Sequence, residues 1–263
     1  MILSLLFGRS GSKGMPGKNT LPVLGRPLAE YPLLACRDAG CVDAMYVSTD
    51  DPVIAEIGRG QGATFLPRPP ALCTDGALLE DAIHDAFLTV RERHPAVELV
   101  VITQCNAPYV TAGVVRQAVQ RLQADPALDS VITVVRMDGF APERARAVDA
   151  GGCLAPYVPF AAFNHAVNCD RSSQRPAYFY DSALTVVRAA ALADLRGNLP
   201  PFRWMGRRIG FIEQKVNPGD IDYAWQIPLV EHWLREAGLG EDQSGKAESG
   251  KSAKRKPGGN DQA

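Results

Sequence analysis

The chain of 263 residues lacks several features that would each have pointed to a function. Its cysteines, Cys36, Cys41, Cys73, Cys105, Cys153 and Cys169, form no C-x-x-C pair, and no histidine stands at zinc-finger spacing from them. Zinc modules and dithiol redox motifs are thereby excluded, and reduced, mostly buried thiols are expected. An excess of one charge is also missing. The 28 basic and 29 acidic residues leave a net charge of −1, so no global field draws nucleic acid or an anionic membrane. No apolar run approaches the roughly 20 residues that span a bilayer. Met1–Phe7 is apolar, but it has no basic flank and runs straight into Gly8-Arg9-Ser10-Gly11. It reads as a buried first strand, not a secretory leader. The expectation is a cytoplasmic protein with no membrane or nucleic-acid partner.

Against these absences stands a hydrophobic content of 46% with 22% charged residues, the balance of a chain that can build a real core. Short apolar runs alternate with helical spacing, which predicts an α/β fold with a mostly parallel sheet covered by helices. Strands are expected at 2–7, 44–48, 63–65, 99–103 and 130–135, and regular patterning returns at 178–187, 189–195 and 209–213. Helices are expected at 28–39, 52–60, 78–94, 111–124 and 227–237, with Thr111 a candidate N-cap. The rhythm breaks between about 136 and 176, where Gly, Pro and aromatics replace periodicity. That section reads as an insert, a dimerisation arm or a lid on a domain spanning 1–235. Residues 240–263 have almost no apolar content and read as a disordered tail.

The most informative segment follows the first strand: Phe7-Gly8-Arg9-Ser10-Gly11-Ser12-Lys13-Gly14-Met15-Pro16-Gly17-Lys18-Asn19. Its glycines let the backbone approach a ligand closely. Arg9, Lys13 and Lys18 place three cations in one loop at the carboxyl edge of the sheet, where open α/β folds bind ligands. Cations plus backbone N–H groups suit a triphosphate. A Walker A loop is excluded because Asn19 stands where Ser or Thr is required. A dinucleotide fingerprint is excluded because no G-x-G-x-x-G opens a helix, and Pro16 and Pro22 are expected to keep the segment extended.

This segment resembles the signature loop of the CMP-sugar synthetases, the acylneuraminate cytidylyltransferase family with its KDO-type and phosphonate-type relatives. The matching residues are Arg9, Gly11, Ser12, Lys13, Gly14, Pro16, Lys18 and Asn19; Gly8 stands where that family has Ala. Val47-Ser48-Thr49-Asp50, Arg68-Pro69-Pro70-Ala71-Leu72 and Gln104-Cys105-Asn106-Ala107-Pro108 are similar to further motifs in the same order. The resemblance implies a Rossmann-like sheet of nucleotidyltransferase type with a small dimerisation insert, and a CTP-dependent transfer of CMP with release of pyrophosphate. It implies that Gly8, Arg9, Ser10, Gly11, Ser12, Lys13, Lys18, Asn19 and Arg68 bind the nucleotide, with Arg9 and Lys18 central to catalysis. It also implies a homodimer.

Asp220-Ile221-Asp222 looks like the same family's metal motif. Two aspartates two apart on an extended strand end point the same way and can converge on one Mg²⁺, which takes one or two carboxylates plus phosphate oxygens. On spacing alone, two solvated loop aspartates fit as well; the resemblance favours the metal. The acceptor is expected to be small and acidic, a phosphonate or an ulosonic acid, contacted by Gln104, Asn106, Arg171, Gln174 and Asp181. Here the chain departs from the family. Tyr109 and Val110 replace Leu-Arg, Asp181 replaces a neutral amide, and Gln226 replaces an acidic residue. Arg171, Arg175 and Lys215 are candidate cations for the acceptor. The four histidines are expected to be structural. Two other readings stay open: a non-catalytic nucleotide-binding protein, and a sugar-1-phosphate nucleotidyltransferase using another NTP.

Overall fold

A computed structural model describes residues 1–11, 14–170, 175–215 and 219–239. In chain order these form β1 (Ile2–Phe7), the short hairpin β2 (Pro22–Val23) and β3 (Arg26–Pro27), α1 (Glu30–Asp38), β4 (Ala44–Thr49), α2 (Pro52–Gly60), β5 (Thr64–Pro67), α3 (Leu79–Arg93), β6 (Leu99–Gln104), α4 (Ala112–Ala124) and β7 (Ser130–Arg136). There follow the hairpin β8 (Arg146–Val148) and β9 (Leu154–Pro156), then β10 (Tyr178–Arg188), α5 (Ala189–Ala193), β11 (Ile209–Gln214) and α6 (Ile227–Glu236). Among the described residues no helix is long and apolar enough to cross a membrane.

Seven strands make one sheet in the order β11-β7-β10-β6-β1-β4-β5. Only β10 runs against its neighbours; the other pairings are parallel. The central strands show why. All six residues of β1 are buried, as a strand covered on both faces requires. One side packs Leu3, Leu5 and Phe7 with Ile83, Phe87 and Val90 of α3. The other sets Val101 and Val186 with Val115, Val119 and Leu122 of α4. Each fully buried side chain of this kind contributes on the order of 2 kcal/mol.

Local chemistry sets the helix starts. Asp51 accepts from the Val53 N–H at 2.8 Å with Pro52 next in line, and Thr111 accepts from the Val114 N–H at 3.3 Å. Such caps contribute roughly 1 kcal/mol each. Parallel strands then aim the carboxyl ends of β1, β4 and β6 at one edge, and the functional loops leave from there.

Candidate active site

A cavity of about 470 Å³ opens at that edge. It is lined by Gly8, Arg9, Gly14, Lys18 and Asn19 of the glycine-rich loop, by Arg68, Gln104 and Asn106, and by Asp220, Asp222 and Tyr223. Leu72, Ala77, Leu78, Leu79 and Ala82 add an apolar lining.

The loop reaches this place through tight contacts. Gly8 leaves β1 so close to β6 that an added Cβ would stand 2.4 Å from the Cys105 sulfur. Gly14 crosses directly over the backbone of residue 222, where a Cβ would stand 2.7 Å from the Asp222 carbonyl. Between them, Asp50 fastens the loop by accepting from the Ser10 N–H at 2.8 Å and the Ser10 hydroxyl at 2.6 Å. Burial pushes the Asp50 carboxyl up, but the Ser10 hydrogen bonds and the field of Arg68 outweigh it, and it stays below its ordinary range. The expected extended course after Pro16 is corrected: Lys18–Thr20 form a single 3-10 turn, which buries Lys18 and Asn19.

The described cations are already engaged. Arg9 donates to Asp75 Oδ1 at 3.0 Å and to the Cys73 carbonyl at 3.2 Å. Lys18, only 7% exposed, donates from its ammonium to Asp222. Arg68 is 8% exposed and donates to the Ser48 carbonyl at 2.9 Å, yet its Nε has no hydrogen-bond partner among the described residues. Burial holds that guanidinium pKa below its ordinary value. A buried, incompletely bonded guanidinium beside an open cavity is a poised anion receptor.

The aspartate pair is reached differently from the expectation. β11 ends at Gln214, and residues 219–223 form an irregular loop, not a strand end. Ile221 is fully buried and its N–H donates to the Asn106 carbonyl at 2.8 Å, so the aspartates on either side both line the cavity. Gln226, which the sequence reading took for a lost acidic group, clasps this loop. Its Oε1 accepts from the N–H groups of Asp222 and Tyr223 at 2.8 and 2.9 Å, and its Nε2 donates to the Asp220 carbonyl at 2.9 Å. A carboxylate could not make the last bond. Two carboxylates lining one cavity, with no third acidic or imidazole group clustered among the described residues, match the sparse oxygen set of a Mg²⁺ that shares phosphate ligands.

Some expected site residues stand elsewhere. Ser10 and Gly11 shape the loop without lining the cavity. Asp181, expected at the acceptor, is 1% exposed and bonded inside the sheet to Thr133 and Gln214. Tyr109 and Val110 are wholly buried in the core, so their departure from the family pattern alters packing rather than the cavity wall. Arg175 and Lys215 line two other depressions. Ser12, Lys13, Arg171 and Gln174 lie outside the described residues. Three histidines have structural partners: His84 with the Leu192 carbonyl, His94 with the Tyr46 hydroxyl, and His165 with Glu143. Asp50, Asp75 and Gln226 escaped the site reading. Asp50 lay in a recognised motif, but nothing in its spacing disclosed its grip on Ser10.

Comparison with known proteins agrees with this geometry. Residues 4–149, more than half of the chain, match the family described as Cytidylyltransferase. The N-acylneuraminate cytidylyltransferase A of Danio rerio is 30% identical over 57% of this chain and 33% of its own length. The CMP-N,N'-diacetyllegionaminic acid synthase of Legionella pneumophila is 28% identical over 58% of this chain and 65% of its own. The matched stretch thus spans a third to just under two thirds of these relatives. A CMP:2-keto-3-deoxy-manno-octonic acid synthetase, solved with CTP, shares the fold with a TM-score of 0.62 at 17% identity, covering 90% of this chain and 99% of that one. With three basic side chains and two aspartates lining one cavity at the carboxyl edge of the sheet, and residues 4–149 matching its model, the chain belongs to the cytidylyltransferase family.

Proposed function

We propose that the protein transfers CMP from CTP to a small ulosonic acid and releases pyrophosphate. The observation that carries this is one cavity lined by both Arg9, Lys18 and Arg68 and by Asp220 and Asp222. The basic side chains receive the triphosphate. Arg9 and Lys18 exchange their carboxylate partners for phosphate oxygens, and the guanidinium of Arg68 adds positive charge to the same lining. Charge-assisted bonds of this kind are about twice as strong as neutral ones. Their cations offset the negative charge that grows on the α-phosphate and on departing pyrophosphate.

Asp220 and Asp222 are the residues that would hold Mg²⁺. When bound, that ion supplies charge neutralisation and alignment of phosphate oxygens. Gln104 and Asn106 provide neutral amides at the acceptor end, which suit the hydroxyl and carboxylate groups of a sugar acid. Among the described lining residues there is no histidine to serve as a general base. Attack by the acceptor hydroxyl therefore relies on alignment rather than on a dedicated proton acceptor.

The names of the relatives support an ulosonic acid over a phosphonate. The exposed apolar residues of the irregular section, Phe140, Val148, Leu154 and Tyr157, support a homodimer formed through it. The test is pyrophosphate release with Mg²⁺, crossing four NTPs with nonulosonic acids and small phosphonates. Release with CTP and a sugar acid is expected. Release with a phosphonate alone would overturn the acceptor assignment, and release with UTP or GTP alone would overturn the nucleotide.

A further inference from the structure

One departure from regular strand pairing lies beside the cavity. β10 pairs with β7 as far as Tyr180↔Val134, and pairing resumes at Thr185↔Ile132. Residues 181–184 of β10 thus stand opposite Thr133 alone. Ser182 in this bulge has φ 62°, a conformation that side chains rarely adopt.

Asp181 holds the bulge in place. Its Oδ1 accepts from the Thr133 hydroxyl at 2.6 Å and from the Ala183 N–H at 3.0 Å. Its Oδ2 accepts from Gln214 Nε2 at 2.7 Å, and the Leu184 N–H donates to the Thr133 oxygen at 3.0 Å. Two routes lead from this carboxylate to the cavity. Through the bulge, the Ser182 carbonyl accepts from Gln104 Nε2 at 3.4 Å. Through Gln214, whose Nε2 also donates to the Tyr109 carbonyl at 2.9 Å, the far end of the segment bearing Gln104 and Asn106 is fixed. Asn106 Nδ2 in turn donates to Asp220 Oδ2 at 3.2 Å.

A buried carboxylate adds little net stability over apolar residues of the same volume. Its presence inside the sheet asks for another account. We propose that Asp181 is a positioning residue: without touching the acceptor, it sets the spacing between Gln104 and Asp220, and so the placement of the acceptor's attacking oxygen. The proposal rests on the reading that the acceptor binds at the Gln104 end. Asparagine at 181 would keep an oxygen for Thr133 but turn an NH₂ donor toward the donor of Gln214. Flipping Gln214 would only set its oxygen against the Tyr109 carbonyl.

The test compares the unaltered chain with Asp181→Asn and, as a second variant that guards against misfolding of the first, with the near-isosteric Thr133→Val. Hydrogen exchange is followed in peptides covering 104–110, 180–185 and 2–7. CTP affinity is measured by calorimetry, and turnover with CTP and N-acetylneuraminate. Exchange is expected to quicken in the first two segments and not in the third. The KM for N-acetylneuraminate should rise roughly tenfold, with CTP affinity held within about twofold. Unchanged exchange in folded variants, or CTP and acceptor constants moving together, would overturn the proposal. Should the wild type release no pyrophosphate with this acid, the acceptor reading fails there, and the exchange pattern with CTP affinity still decides the role of Asp181.

Discussion

The two ends of the cavity are held by different kinds of bond. At the basic end, Arg9 is paired with Asp75 and Lys18 with Asp222, and both carboxylates are about half exposed. At the other end, Gln104 and Asn106 are fixed through Ser182, Asp181, Thr133 and Gln214, in bonds mostly closed to solvent. The Arg9–Asp75 pair, exposed at both partners, contributes at most about 1 kcal/mol, so an incoming anion can displace it. Buried neutral donors have no such competitor and keep their geometry. The basic end is built for exchange, the other for shape.

Lys18→Met should break this contrast most severely. Turnover is expected to fall roughly 100- to 1,000-fold, with the melting temperature little changed, as kinetics and calorimetry on the same preparation would show. Gly8→Ala probes what fixes the loop's exit from β1. Overpacking against Cys105 should cost about 1–3 kcal/mol in urea unfolding, and adding Cys105→Ala should recover part of it. Asp75→Asn sharpens the comparison in the opposite direction. By releasing Arg9 it should tighten CTP binding about twofold to fivefold, read by calorimetry at low salt. The smallest effect concerns pH. Since the folded pKa of Asp50 lies below its ordinary 3.8, its grip on Ser10 is complete above that value and is lost as pH falls through the folded one. Exchange of the Ser10 amide should quicken over that acid range, and Asp50→Asn should show the same quickening at neutral pH.

Much of this architecture is legible in the residues. Every expected strand and helix is present within a few residues of its place, because β-branched runs such as Leu99–Gln104 and caps such as Thr111 are local signals. The gathering of Arg9, Lys18, Arg68, Asp220 and Asp222 is legible too, since parallel strands deliver successive loops to one edge. The reversal of β10 was not, because strand direction depends on connections and leaves no periodicity. Nor was the burial of Asp181: an aspartate reads alike whether it faces solvent or donors such as Thr133 and Gln214 that fold back from distant positions. The Gly8 and Cys105 contact shows the same limit. Gly8 departs from the family's Ala, and only the 2.4 Å approach of an added methyl to the Cys105 sulfur shows why glycine suits that place here.

The crossing of Gly14 over the Asp222 carbonyl also bears on how the protein is made. These residues are more than 200 positions apart, so the contact belongs to the costliest class of loop closure. During synthesis the glycine-rich loop and β1 leave the ribosome long before Asp222 exists, and a chain halted at α5 would carry Arg9 and Lys18 without Asp220 and Asp222. The cavity can therefore gather both sets of charges only after those distant residues have been made.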